Sequence, residues 1–200
     1  MITGIEEVDK KRVRIYLEGG TSMVLYKGEV RRYSLKEGEE LSEGIYEEIR
    51  SEILKKRACK RAMFLLERMD RTEAQLREKL RQNFYDEEMI EEAVSYVRKY
   101  HYLDDQRYAA NYVRYHRERK SRRQIEMELR QKGIDRKKIE RALEEEYPVE
   151  DDRKLIKTWI QKKHYSPENS DIKEKQRMYQ FLLRKGFSSN DILHVLEDLT

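Results

Sequence analysis

The feature that most constrains this 200-residue chain is that it repeats itself. Leu76, Leu80, Ile90, Ala93 and Val94 return at one constant offset as Ile125, Leu129, Ile139, Ala142 and Leu143. At a second offset they return as Met178, Leu182, Ile192, Val195 and Leu196. Helix-start signals travel with these apolar rows. Thr72–Gln75 and Ser121–Gln124 read as S/T-x-x-Q capping boxes. Asp86, Asp135 and Ser188 stand as N-caps before the last helix of each copy. Gly133 and Gly186 fall where a helix end turns to positive φ, and Asn83, the next most tolerant residue, stands near that point in the first copy. Rows, starts and stops moving together predict three tandem helical triplets.

Composition fits such an array. Charged residues make up 42% of the chain and hydrophobic ones 38%, enough for thin seams between helices but not for one thick core. Periodic apolar residues and a net charge of only +4 argue against disorder. The charge is uneven. Lys36 to Glu52 carries two Lys/Arg against seven glutamates, whereas Arg107 to Arg141 carries thirteen Lys/Arg against five Asp/Glu. A polyanion or an acidic protein surface is the partner such a block suits. The lone Cys59 sits in an apolar helical stretch beside Ala58 and Ala62, where a buried, reduced thiol is expected. The N-terminus lacks the apolar segment of a signal peptide and no run reaches bilayer length, so the expected location is the cytoplasm, away from membranes.

Residues 1–45 read as a separate β module. Val13, Ile15 and Leu17 alternate, Gly19-Gly20 supplies a turn, and Met23 to Tyr26 returns, which predicts a hairpin. A further short strand is expected near Val30–Leu35, giving a small antiparallel sheet that docks on the first helices. The expected repeats then cover 46–100, 101–148 and 149–200. Ser42 is expected to cap a helix carrying Ile45 and Ile49, and Pro148 to close the second repeat. The third opens at Asp151-Asp152, read as caps like Asp104-Asp105, and has a longer connection holding Pro167 and Asn169. The fold class predicted is mainly α: three three-helix repeats behind an N-terminal β-hairpin or sheet.

Catalytic constellations do not emerge. His101, His116, His164 and His194 show no metal-ligand spacing. Gly19-Gly20-Thr21-Ser22 lacks P-loop spacing and reads as the hairpin turn. Glu39-Glu40 and Glu47-Glu48 read as solvated helix surface. The chain is read as a non-enzyme without cofactor or metal.

The strongest functional signal is the segment VRYHRERKSRR, Val113 to Arg123, with six Lys/Arg against Glu118. Arg114, Arg117 and Arg119 fall late in one helix, Lys120 in the turn, and Arg122 and Arg123 at the start of the next. Cations at a helix N-terminus are disfavoured by its dipole, which suggests that an anion is meant to sit there. An ordinary solvated face is the competing reading. Tyr112 reads as half-core, while Tyr115 is open between core and base stacking. Helix-turn-helix DNA readers share the three-helix unit, but three tandem copies with differing surfaces match them poorly.

Four pieces resemble a known family: Ala58 with Ala62, RTEAQLREKL, YLDDQRYA over Tyr102–Ala109, and IEMELRQKGI ending at Ile134. Together with the repeats they resemble the RecX family of recombination regulators over roughly residues 50–200. Asn83, where a glycine is expected, and the glycine-free elbow KSRR depart from its pattern. The resemblance implies a non-catalytic modulator of the RecA recombinase, made of three tandem three-helix repeats lying in the groove of the RecA–DNA filament. It implies inhibition of ATPase, strand exchange and co-protease activity in DNA repair and the SOS response. Arg114, Arg117, Arg119, Lys120, Arg122, Arg123 and Arg130 are the expected contacts. The expected partners are the filament and, weakly and non-specifically, single- and double-stranded DNA, met by a monomer. A sequence-specific DNA-binding protein and a helical-repeat scaffold for an unrelated partner stay open beside it.

Overall fold

The computed structural model describes residues 1–148, 150–166 and 170–199, grouped into two units, Met1–Leu103 and Asp104–Thr200. In the first, strands β1 (Ile2–Glu7), β2 (Arg12–Leu17) and β3 (Ser22–Tyr26) form an antiparallel sheet in the order β1-β2-β3. The predicted hairpin is present, with Val13 opposite Leu25 and Ile15 opposite Met23. Gly19 and Gly20 take φ of 91° and 82° in its turn, values that L side chains rarely adopt.

The third strand lies elsewhere than predicted. Val30–Leu35 is not a strand; helix α1 (Lys27–Arg32) runs into it. Glu29 causes this by accepting from the Tyr26 amide at 2.7 Å, a helix-start contact, and the Leu35 amide then folds back to the Val30 carbonyl. The strand that completes the sheet is β1. Its alternation is hidden in the sequence because the register shifts between Ile2 and Gly4.

Ser42 caps α2 (Glu43–Glu48) as expected, accepting from the Ile45 amide. A π-helical stretch, Ile49–Lys55, leads into α3 (Lys56–Arg68). Ile49 and Leu54, both buried, are five residues apart, the spacing of a π turn, so both reach the core. Helices α4 (Glu73–Arg81) and α5 (Glu87–Lys99) complete the first triplet. The sheet docks as predicted: Ile2, Ile15 and Leu25 share one apolar cluster with Ala58, Leu76, Val97 and Leu103.

The second unit holds α6 (Asp105–His116), α7 (Arg122–Gln131) and α8 (Arg136–Glu146), then α9 (Asp151–Lys162), α10 (Ile172–Arg184) and α11 (Ser189–Glu197). Each triplet has its own apolar cluster. All the aligned core positions are buried, with Leu196 half-buried. Asp86, Asp135 and Ser188 cap their helices, and Thr72 with Gln75 forms a complete capping box.

Three local expectations need correction. Ser121 accepts from the Gln124 amide, but the Gln124 side chain turns to Glu128 at 3.4 Å, so the second box is only half made. Its hydroxyl instead donates to the Lys185 carbonyl at 2.7 Å. Asp104 caps α6, yet Asp151 and Asp152 lie inside the first turn of α9, after Glu150. Asp152 is held there by the Tyr147 hydroxyl, 2.6 Å away, and by the Arg122 amide at 3.2 Å. Burial raises its carboxyl above the usual range. Finally, the left-handed residue after α4 is Phe84, φ 68°, in the place of Gly133 (φ 80°) and Gly186 (φ 89°). Asn83 instead donates its amide to the Lys79 carbonyl at 2.7 Å. Pro167 and Asn169 lie outside the described residues.

Candidate functional site

The basic elbow joins the end of α6 to the start of α7, and most of its cations are spent inside the fold. Arg114 forks onto Glu146 through Nη2 at 2.5 Å and Nε at 3.1 Å. The same hydrogen bonds hold the Glu146 carboxyl below its ordinary range. Arg117 donates to the Glu146 carbonyl and Arg122 to the Leu143 carbonyl, each at 3.0 Å. These are carbonyls of the last turn of α8, which carries no basic residue of its own there. A helix end leaves carbonyls unpaired and carries partial negative charge, so two arginines from its neighbours supply what the α8 sequence lacks.

Lys120 pairs with Glu128 at 2.6 Å, and the Tyr112 hydroxyl donates to the same oxygen at 2.5 Å. Burial works to raise the Glu128 carboxyl, but Lys120 and Tyr112 together keep it lowered. Burial and that hydrogen bond push the Tyr112 phenol upward. Tyr112 is therefore part of the packing, as read from the sequence. Arg130 forms an i,i+4 pair with Glu126 at 2.6 Å.

Arg119 and Arg123 are different. Both are exposed, and neither makes an ion pair or side-chain hydrogen bond among the described residues. Tyr115 is 71% exposed and stands edge-on to His116, with ring centroids 4.9 Å apart. His116 also contacts Tyr112, and its imidazole is held below the usual pKa by burial first and Lys120 second. The elbow thus offers two uncommitted guanidiniums and an exposed tyrosine ring to an anionic or aromatic partner.

A second group of cations escapes a linear reading. It lies in the first unit, around a cleft lined by Lys10, Lys11, Arg57, Lys60, Arg61 and Phe84 among others. Four separate segments contribute, and its basic runs, Lys10–Arg12 and Lys55–Arg61, stand far apart in the sequence. The clue in the sequence is Phe84 itself, which occupies the position of Gly133 and Gly186 in the other copies.

Cys59 is half-buried, and burial raises its thiol, the opposite of an activated nucleophile. Among the described residues no three His, Cys, Asp or Glu side chains form a metal-holding group, and no helix is long and apolar enough to cross a membrane.

Known proteins resemble the chain along its length. Models of the first, second and third three-helix domains of RecX match residues 58–96, 104–143 and 150–196. Regulatory protein RecX of Caldanaerobacter subterraneus subsp. tengcongensis is 34% identical over 79% of this chain and 78% of its own length. That of Clostridium acetobutylicum is 28% identical over 99% and 95%. A crystal structure of a regulatory protein RecX superposes with a TM-score of 0.65 at 29% identity, covering 98% of both chains. RecX from Lactobacillus salivarius gives 0.63 at 26%, covering 73% of this chain and 96% of its own.

Proposed function

The chain belongs to the RecX family of regulatory proteins, and on that premise we propose that it binds the RecA–DNA filament and inhibits the recombinase. In this reading it is a cytoplasmic, monomeric, non-catalytic regulator of recombinational repair and the SOS response. It lies along the filament groove and restrains ATPase, strand-exchange and co-protease activity together.

The observation that carries the reading is the division of labour within the elbow. Arg114, Arg117, Lys120, Arg122 and Arg130 answer to acceptors in their own repeat, while Arg119 and Arg123 have none among the described residues. We assign the primary filament contact to Arg119 and Arg123, flanked by Tyr115. The five paired cations shape the surface and add to its positive potential. Such a surface suits a nucleoprotein, where protein and polyanion are met together.

Titrating the protein into a RecA–single-strand ATPase assay tests this. Hydrolysis should fall in proportion to the protein bound, and more steeply at low salt. Unchanged hydrolysis at saturating protein would remove RecA from the reading. Tight, salt-resistant binding to a single duplex sequence without RecA would favour the DNA-reader alternative.

A further inference from the structure

The cleft of the first unit has a volume of about 780 Å³, within the usual range of ligand sites. Its walls come from the β1–β2 turn, the end of β3, helix α3 and the turn between α4 and α5. Asp9 is its one acidic lining residue, and that carboxylate is used up holding the turn: it accepts from the Lys11 and Arg12 amides and from Arg12 Nε. Arg57 is matched by Glu29. Lys10, Lys11, Lys60 and Arg61 have no carboxylate partner among the described residues.

The rings are the second observation. Phe64 is 40% exposed and Phe84 37%, both lining the cleft. Arg61 and Arg68 lie over the Phe64 ring, and Arg12 and Arg14 over that of Phe84, all within 5.6 Å of the centroids. Guanidiniums engaged with rings keep their full charge and most of their donors.

The third observation is backbone strain. Phe84 takes φ 68° where the other repeats use glycine. A bulky residue is unfavourable in that region, and strain of this kind gathers at functional sites. Core packing does not account for it, because the ring remains accessible.

Unpaired cations and accessible rings in one cleft are the needs of a ligand that alternates phosphates with flat faces. We propose that this cleft binds single-stranded nucleic acid, with phosphates on Lys10, Lys60 and Arg61 and an unpaired base stacked on Phe84. A duplex would use the cations but keeps its base faces stacked on one another. An acidic peptide would use the cations and leave the rings idle. The inference concerns the first unit and stands apart from the elbow and from RecA.

The test is fluorescence anisotropy of the full chain, without RecA, on a labelled oligothymidylate of about 12 nucleotides, a length within known single-strand site sizes. Phe84→Gly restores the residue of the sister repeats, so it should leave Tm unchanged or raised. It should weaken oligothymidylate binding about tenfold, a stacking-sized loss, while binding to a charge-matched duplex changes less than about twofold. Phe84→Trp should retain binding. Lys60→Ala with Arg61→Ala should lower the slope of log K against log salt by about 1.4, about 0.7 for each lost contact to a single strand. Wild-type single-strand affinity in Phe84→Gly would overturn the proposal. So would equal losses on single strand and duplex, or displacement of the oligonucleotide by polyglutamate of equal charge at the same concentration. Any of these could occur with RecA inhibition intact, so the two readings fail separately.

Discussion

Phe84 and Gly186 hold the same left-handed position after the middle helix of their repeats, at φ 68° and 89°, and put it to opposite uses. At Gly186 the missing side chain lets the backbone close on Ser121, whose Oγ would lie 2.6 Å from an added Cβ. At Phe84 the position holds a partly exposed ring with the Arg12 and Arg14 guanidiniums within 5.6 Å of its centroid. The charges around them follow the same division. In the second repeat Arg114, Arg117, Lys120 and Arg122 are tied to carboxylates or carbonyls and hold the unit together. In the cleft of the first, Arg12 and Arg57 are held by Asp9 and Glu29, while Lys10, Lys11, Lys60 and Arg61 have no carboxylate partner among the described residues. Cations bound to acids are structural members; cations without one remain available. Counting Lys and Arg along a chain does not separate the two kinds.

Five variants press on this contrast, from the largest effect to the smallest. Gly186→Ala should destabilise the chain by about 2–3 kcal/mol in urea unfolding, combining left-handed backbone cost with overlap on Ser121. Phe84→Gly carries the opposite sign at the equivalent position; if both destabilise alike, the two positions are not doing different work. Next, Arg119→Glu with Arg123→Glu should weaken filament binding about tenfold, an effect of about 1.4 kcal/mol, while stability moves by less than about 0.5 kcal/mol. A comparable loss from removing Arg114 at unchanged stability would blur the line between paired and unpaired cations.

Glu128→Gln should then lower stability by about 1 kcal/mol, since it weakens the acceptor shared by Lys120 and Tyr112. It should also tighten polyanion binding slightly, by releasing Lys120. The smallest effect is the pH dependence of His116. Burial, then Lys120, depresses its pKa in the folded chain. Its contribution is therefore present above the unfolded value of about 6.5 and lost as pH falls through the lower folded value. The stability difference between wild type and His116→Gln should shrink in favour of the variant on going from about pH 7.5 to 5. A difference independent of pH would place the imidazole in open solvent.

What could be read from the sequence, and what could not, divides by range. Helical rows and caps depend on residues three to seven apart, and so Leu76, Thr72, Asp135 and Ser188 were legible at once. Strand β1 was not, because an irregular register near Gly4 breaks its alternation. Helix α1 was misread because a short apolar–polar stretch suits either period, and the deciding contact is Glu29 with the Tyr26 amide. The elbow was visible as a run, but its internal bookkeeping was not: Leu143 and Glu146 are distant in sequence from the arginines that reach them. The cleft was the least legible, since its basic runs at Lys10–Arg12 and Lys55–Arg61 are distant in sequence and meet only in the fold.

The apolar cluster of the first unit runs from Ile2 to Leu103. On the ribosome, where chains emerge at about 5–20 residues per second, the sheet therefore leaves the exit tunnel many seconds before the last residues it packs against. Until then Ile15 and Leu25 lack the side chains of α3 to α5 that complete their cluster. The amino-terminal half should accordingly acquire protease resistance in one step, late, and only after α5 has been translated in full.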